Sequence, residues 1–288
     1  MSNILLTGSS GQLGCELKDL SNSSHDNFFF TSHDNLDIGD FQKIKTYCQT
    51  NSIEVIINSA AYTAVDKAQS EKEEANKINY LAVKNLATIS KELNIKLIHI
   101  STDYVFDGKN YKPYCEDDKT NPVNYYGESK LLGEEAIKEI NPNNSIIIRT
   151  SWLYSSYGAN FVKTMLKLGK TKESLGVIYE QVGTPTYAKD LANTILHILP
   201  KLKNNKVEIY HYSNEGVLSW YDFAKEIMKM TKLECQIDPI QTIDYPTPAA
   251  RPCYSLLNKS KIKNDFNIKI PYWKDSLSEC LTKLGERR

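Results

Sequence analysis

The sequence carries no excess of charge of either sign: Lys plus Arg and Asp plus Glu each number 35 in 288 residues. A chain without net charge sets up no strong field to attract nucleic acid or an anionic membrane surface, so an anionic ligand must be gripped by a few placed groups. Nor is there an apolar run near the roughly 20 residues that cross a bilayer. The cysteines are unpaired in spacing: Cys15, Cys48, Cys115, Cys235, Cys253 and Cys280 stand far apart, with neither a C-x-x-C pair nor another metal-site pattern. A chain this long needs no disulfide staples, so six scattered thiols predict a reduced, cytoplasmic protein. Met1-Ser2-Asn3 leads straight into Ile4-Leu5-Leu6, too short a lead for a signal peptide. Internal repeats and low-complexity tails are missing too. These absences predict no nucleic-acid partner, no membrane partner and no metal, and leave 41% hydrophobic residues to build ordinary cores.

What is present is a rhythm. Short runs rich in Ile and Val, at 4–6, 28–30, 55–58, 96–100 and 145–149, read as strands buried on both faces. Between them lie helical patterns at 40–49 and 75–93, the second with Ile78, Leu81, Val83, Leu86, Ile89 and Leu93 near helical spacing. Strand and helix in alternation predict an α/β fold, a Rossmann-like doubly wound parallel sheet. After Trp152 the rhythm loosens into helices around 161–168, 188–199 and 220–230, a strand near 177–179, a proline-rich stretch at 245–252 and a terminal helix after Trp273. The apolar run 207–213 is placed to rejoin the main sheet. The division expected is a dinucleotide-binding domain over 1–151, rejoined by 184–213, and a smaller mixed substrate-binding domain from 152–183 and 214–288.

The first strand runs into TGSSGQLG, with Gly8, Gly11 and Gly14 three apart. A chain that turns sharply, lets backbone N–H groups reach a pyrophosphate and starts a helix there suits glycine at each point. The position between strand one and helix one is what makes a common Gly-rich turn a dinucleotide signature. At the end of strand two, Phe30-Thr31-Ser32-His33 offers no carboxylate before Asp34. With nothing there to repel a 2′-phosphate, the sequence leans to NADPH, with NADH as the alternative. Asp40-Phe41 fits either the adenine end of the cofactor or a helix cap.

In NYYGESK (124–130), two tyrosines precede one lysine. Residues four apart share a helix face and residues five apart do not, so Tyr126, not Tyr125, pairs with Lys130. A nearby cation is expected to lower the phenol's pKa toward neutrality and suit it to proton transfer. Strand KLIHI ends in Ser101-Thr102-Asp103, at the carboxyl edge where such sheets bind ligands, and a hydroxyl there reaches the substrate oxygen that Tyr126 protonates.

On these elements the sequence resembles the extended short-chain dehydrogenase/reductase superfamily and, within it, the dTDP-4-dehydrorhamnose reductase family. LLTGSSGQLG, NSAAYTAVDKAQSE, STDYVFDG, YYGESKLLGE, RTSWLY, NFVKTML, VGTPT and TPAARP carry that resemblance across nearly the whole chain. It implies cofactor contacts at Gly11, Gln12, Leu13, Asp40, Phe41, Ala61, Tyr62, Thr63 and Lys130, beside Gly8. It implies a sugar nucleotide held by Thr102, Asp103 and Trp152, lined by Val65, with Tyr126 as proton donor. Arg251, in the matched TPAARP stretch, is expected from its charge to meet the diphosphate. Some members form dimers bridged by magnesium through three glutamates. Glu16 matches the first, but Lys189 and Lys283 stand at the other two, and ammonium groups do not ligate a hard cation. The expectation is therefore no magnesium bridge, and a monomer or a homodimer without one.

Other residues have structural readings. His99, mid-strand, reads as a satisfied core histidine, and His25 and His33 as loop residues. Tyr104, Phe106 and Tyr111 fit an aromatic wall for thymine or core packing. Trp152 fits a sugar-stacking face or a seal at the domain junction. Glu71-Lys72-Glu73-Glu74 reads as a solvated helix start.

The resemblance implies reduction of the C4 ketone of a dTDP-sugar by NADPH, with Tyr126, Lys130 and Thr102 as the catalytic set. A 4,6-dehydratase would place a glutamate where Thr102-Asp103-Tyr104 has Tyr104. A 4-epimerase or another sugar-nucleotide reductase stays open, as does an NADP-binding regulatory subunit resembling the β subunit of methionine adenosyltransferase.

Overall fold

The computed structural model describes residues 1–286; Arg287 and Arg288, at the end of the stretch expected in the smaller domain, lie outside the described residues. Five strands follow the apolar runs: β1 (Asn3–Thr7), β2 (Asn27–Thr31), β3 (Val55–Asn58), β4 (Lys96–Thr102) and β5 (Ile146–Thr150). Strand Glu208–Tyr212 joins them, so the run at 207–213 does return to the main sheet. All pairings are parallel, and the order is 208–212, β5, β4, β3, β1, β2. Alternation sorts the side chains: Ile4 and Leu6 enter one core, Leu5 the other. α1 (Gln12–Ser21) and helix Ala188–Ile198 cover the first face, through Leu13, Leu17, Leu191 and Ile195. α2 (Phe41–Thr50) covers the second through Ile44 and Cys48.

The pattern at 75–93 is not one regular helix. α3 (Lys72–Asn76) opens into a π-helical turn at Lys77–Leu81 before α4 (Ala82–Leu93) resumes. The wide turn tucks Asn79 inside, where its amide bonds the Tyr62 backbone and the Ser129 hydroxyl. Leu81, counted in the apolar stripe, is turned to solvent instead. α5 (Tyr125–Ile140) starts where Asn124 accepts from Gly127 N at 2.8 Å. It packs so closely on the π turn that a Cβ at Gly133 would lie 2.3 Å from the Asn79 carbonyl.

A separate core gathers helices Phe161–Gly169, Trp220–Thr231 and Trp273–Lys283 around Phe223, Leu277 and Leu281. The strand expected near 177–179 begins at Ser174 and pairs with Gln236–Ile240, which the sequence did not reveal because Pro239 breaks its pattern. Helix Ser260–Phe266 was also unread; its Ile262 and Phe266 pack into the core of the main sheet.

Candidate active site

Strand order reverses between β1 and β3, whose following segments depart to opposite sides and leave a crevice at the carboxyl edge. A cavity of about 800 Å³ opens there, reached by the ends of β1, β3, β4 and β5. Its floor is the glycine turn. Gly8 has φ +68°, and a Cβ on it would lie 2.6 Å from Ala60 N. Gly11 stands at the N-terminus of α1 in extended conformation, with no side chain capping the helix. The first-turn N–H groups therefore lack a side-chain partner and face a cavity lined by Gly8, Gly11, Gln12 and Leu13, the arrangement that accepts phosphate.

At the end of β2 the wall comprises Ser32 and His33, then Asp37 and Ile38. Asp37 is a carboxylate that counting along the strand end overlooked; its Oδ1 accepts from Gly39 N at 2.8 Å. Asp40 takes the capping role, accepting from Lys43 N at 3.1 Å, and neither Asp40 nor Phe41 reaches the cavity wall. After β3, Ala61, Thr63 and Val65 line the cavity, but Tyr62 does not. Its hydroxyl donates to Glu71 Oε2 at 2.5 Å, and that carboxylate pushes the phenol up to about 12.

Thr102 ends β4. Its hydroxyl donates to Asp103 Oδ1 at 3.0 Å and accepts from Tyr104 N, while Asp103 Oδ2 is buried without a partner. Burial pushes the Asp103 carboxyl up to about 7. Tyr126 lies in the first turn of α5 and shares the cavity wall with Thr102, Asp103 and Lys130. Its ring meets Tyr104 edge-on, centroids 5.7 Å apart. The expected lowering of its pKa is not found: burial pushes Tyr126 up to about 12, partly offset by the Thr102 hydroxyl. The reason lies in Lys130, which turns away into the sheet. Its Nζ donates to the Ile100 carbonyl at 2.6 Å and lies 3.3 Å from His99 Nε2, and burial lowers it to about 8. His99 is buried and bonded, as a core histidine should be.

Behind this wall, Arg149 grips Glu134 with Nε and Nη2, both side chains fully buried, and Ser101 donates to Glu134 Oε1 at 2.5 Å. On the opposite side, Trp152 lines the cavity and stacks on Trp220, centroids 3.7 Å apart and planes 12° from parallel. Trp152 has φ +47°, a conformation that costs a bulky side chain and persists only where its surroundings impose it. Trp152 thus stands on the cavity wall while its ring packs on a helix of the second core. The aromatic wall expected from 104–111 reduces to Tyr104: Phe106 stacks on Tyr114 inside, and Tyr111 is exposed.

Arg251 does not reach the cavity. Its guanidinium forks onto Asp66 at 2.6 and 2.7 Å, fastening the proline-rich stretch to the loop after β3, so the expected diphosphate partner is already engaged. Glu16 accepts from Ser155 Oγ at 2.5 Å and from Lys283 Nζ at 3.1 Å, and Lys189 pairs with Glu279. Among the described residues, no group of three or more His, Cys, Asp or Glu side chains is placed to hold a metal ion, and all six cysteines are free. Among those residues no helix is long and apolar enough to cross a membrane.

Sequence reasoning missed Ser59 and Ala60, which also line the cavity. They directly follow β3, so the carboxyl-edge rule applied after β4 would have found them. Trp220 gave no such signal, since it reaches the cavity from a distant helix.

The family model described as the RmlD substrate binding domain matches residues 1–286. The spore coat polysaccharide biosynthesis protein SpsK of Bacillus subtilis is 40% identical over 282 residues, 98% of this chain and 97% of that one. The crystal structure of a dTDP-4-dehydrorhamnose reductase from Clostridium acetobutylicum superposes with a TM-score of 0.93 at 39% identity, covering 98% of this chain and 99% of that one. The Bacillus anthracis dTDP-4-dehydrorhamnose reductase, in complex with NADP, does so with a TM-score of 0.93 at 36% identity and the same coverage.

Proposed function

We propose, from the premise that this chain belongs to the RmlD substrate binding domain family, that it reduces the C4 ketone of dTDP-4-dehydro-L-rhamnose to dTDP-L-rhamnose with NADPH. That is the last step of dTDP-rhamnose synthesis, which feeds cell-surface polysaccharide. The observation that carries this reading is the single wall on which Tyr126, Thr102 and Asp103 stand, in a cavity that begins at the glycine cradle. The cradle fits a dinucleotide, because the uncapped α1 N-terminus offers free N–H groups to the cavity, while Gly8, at φ +68° and against the Ala60 backbone, makes the tight turn that no larger residue would allow. NADP in a relative's structure supports the choice of cofactor.

Gly8, Gly11, Gln12 and Leu13 would hold the pyrophosphate, with Ala61, Thr63 and Lys130 along the rest of the cofactor. When bound, the reduced nicotinamide supplies a hydride to C4. Tyr126, raised to about 12, is protonated at neutral pH and donates that proton to the C4 oxygen as negative charge develops on it. The Thr102 hydroxyl, which in this structure donates to Asp103 Oδ1, would turn its one proton to the same oxygen, and Asp103, Val65 and Trp152 orient the sugar. In this reading 1–151 with 184–213 holds the cofactor, and 152–183 with 214–288 closes on the sugar nucleotide. The protein works in the cytoplasm, as a monomer or a homodimer without a metal bridge.

Tyr126→Phe keeps the ring and removes the proton. Turnover should fall on the order of 10² to 10⁴ fold while NADPH affinity stays within a few fold. Near-normal turnover would remove Tyr126 from the mechanism.

A further inference from the structure

A chain of buried hydrogen bonds runs from β1 to Lys130, and its polarity can be read atom by atom. Asn58, the last residue of β3, is wholly buried. Its Oδ1 accepts from the Ala60 backbone N–H at 3.2 Å and from the Thr7 hydroxyl at 2.6 Å. A backbone N–H can only donate, so the oxygen of Asn58 is fixed on that side and its Nδ2–H₂ faces His99 Nδ1 at 2.9 Å. His99 Nδ1 must then accept. An uncharged imidazole with its lone pair on Nδ1 carries its proton on Nε2, and Nε2 lies 3.3 Å from Lys130 Nζ. An ammonium there would set N–H against N–H. An uncharged amine instead accepts from Nε2–H and donates to the Ile100 carbonyl, 2.6 Å away.

We propose that Asn58 and His99 are positioning residues that park Lys130 as an uncharged amine in the cofactor-free protein, so that cofactor binding draws a proton onto it. The cofactor's phosphates favour the cationic lysine, and its hydroxyls would add acceptors to the one carbonyl that the parked amine reaches. The amine lone pair on Nζ takes a proton from the buffer acid, leaving that acid's conjugate base in solution. The ionisable groups around Lys130 are consistent with this. Glu134 on its own helix favours the ammonium, but that carboxylate is already held by Arg149 on β5. Burial, the largest influence, acts the other way and also keeps His99 uncharged. Tyr126 on α5 and Asp103 after β4 share the wall, both pushed up by burial. From α3, Lys72 packs over the Tyr125 ring, and the π turn contributes the neutral Asn79.

The inference rests on the proposal that this cavity binds NADP(H), and calorimetry separates the two. Titrating NADP⁺ into the protein at pH 8, in buffers of different ionisation enthalpy, reports affinity and protons exchanged together. Wild type should take up a substantial fraction of one proton per cofactor. In Asn58→Asp the new carboxylate accepts from His99 Nδ1–H, which moves the lone pair to Nε2 and stabilises the ammonium before cofactor arrives. Uptake should then fall several fold while binding persists. Binding with no uptake in wild type, or undiminished uptake in Asn58→Asp, overturns the proposal; no binding at all overturns the cofactor reading itself. Should Asn58→Asp not fold, ¹⁵N NMR of wild type decides, since only five histidines need assigning. His99 must show its proton on Nε2, and the opposite tautomer contradicts the scheme.

Discussion

The indole of Trp152 lies face to face with that of Trp220, centroids 3.7 Å apart, and Gly183 sits beneath it so closely that a Cβ there would lie 3.0 Å from the ring. Both indoles line the cavity, and the pair joins the loop after β5 to the helix at Trp220–Thr231. Removing one ring leaves the left-handed backbone at Trp152 without its support. An aromatic pair contributes about 0.5–1.5 kcal/mol beyond burial, so Trp220→Ala should raise KM for the sugar nucleotide roughly 2- to 10-fold. Its Kd for NADPH should not move, and the near-ultraviolet circular dichroism of the stacked indoles should collapse. An unchanged KM would take the pair out of substrate binding.

Glu134 and Arg149 form a fully buried pair, with Ser101 bonded to the same carboxylate. Removing one partner leaves a charge stranded in the core, which costs on the order of 3–5 kcal/mol, so Glu134→Gln should show a large loss in urea unfolding. Glu134→Leu combined with Arg149→Met should lose distinctly less, because neither charge is left alone. Equal losses would mean that packing, not charge, governs this position.

Asp103 gives a pH signature. Its folded-state pKa is raised from the usual carboxylate value to about 7 by burial, so the folded state holds the proton more tightly than the unfolded chain does. The associated stability is present in full below pH 4 and is lost as pH rises toward 7. Asp103→Asn lacks this loss. It should be more thermostable than wild type at pH 8, with the advantage fading near pH 4. A difference that is independent of pH contradicts the raised value.

Much of this arrangement was legible in the sequence, and the rest was not for identifiable reasons. Five strands and the glycine turn follow from apolar runs and backbone geometry. Tyr126 over Tyr125 follows from helical spacing alone. Local patterns do not report side-chain direction, however. Lys130 shares a helix face with Tyr126, yet its long stem carries the amino group down to the Ile100 carbonyl. Arg251 has the right charge for a diphosphate, but Asp66, 185 positions away, meets it first. Leu81 fits an apolar stripe, and a π turn shifts the register that would have buried it. In each of these, side-chain direction is decided by structure that the local pattern does not report.

The first and last helices meet where Glu16 and Asp19 share the Lys283 ammonium. A cation is thus already supplied to Glu16 by the chain itself. Dialysis against EDTA should leave turnover unchanged. Loss of activity that magnesium restores would contradict this.

The central claim is that this protein reduces a dTDP-sugar ketone, and turnover tests it most directly. Wild type is given dTDP-4-dehydro-L-rhamnose, made by the upstream enzymes, together with NADPH, and absorbance of the reduced nicotinamide is followed. The account predicts oxidation of NADPH that requires the sugar nucleotide and yields dTDP-L-rhamnose. Folded protein that binds NADPH and leaves it unoxidised would contradict it, and would point to an NADP-binding regulatory role instead.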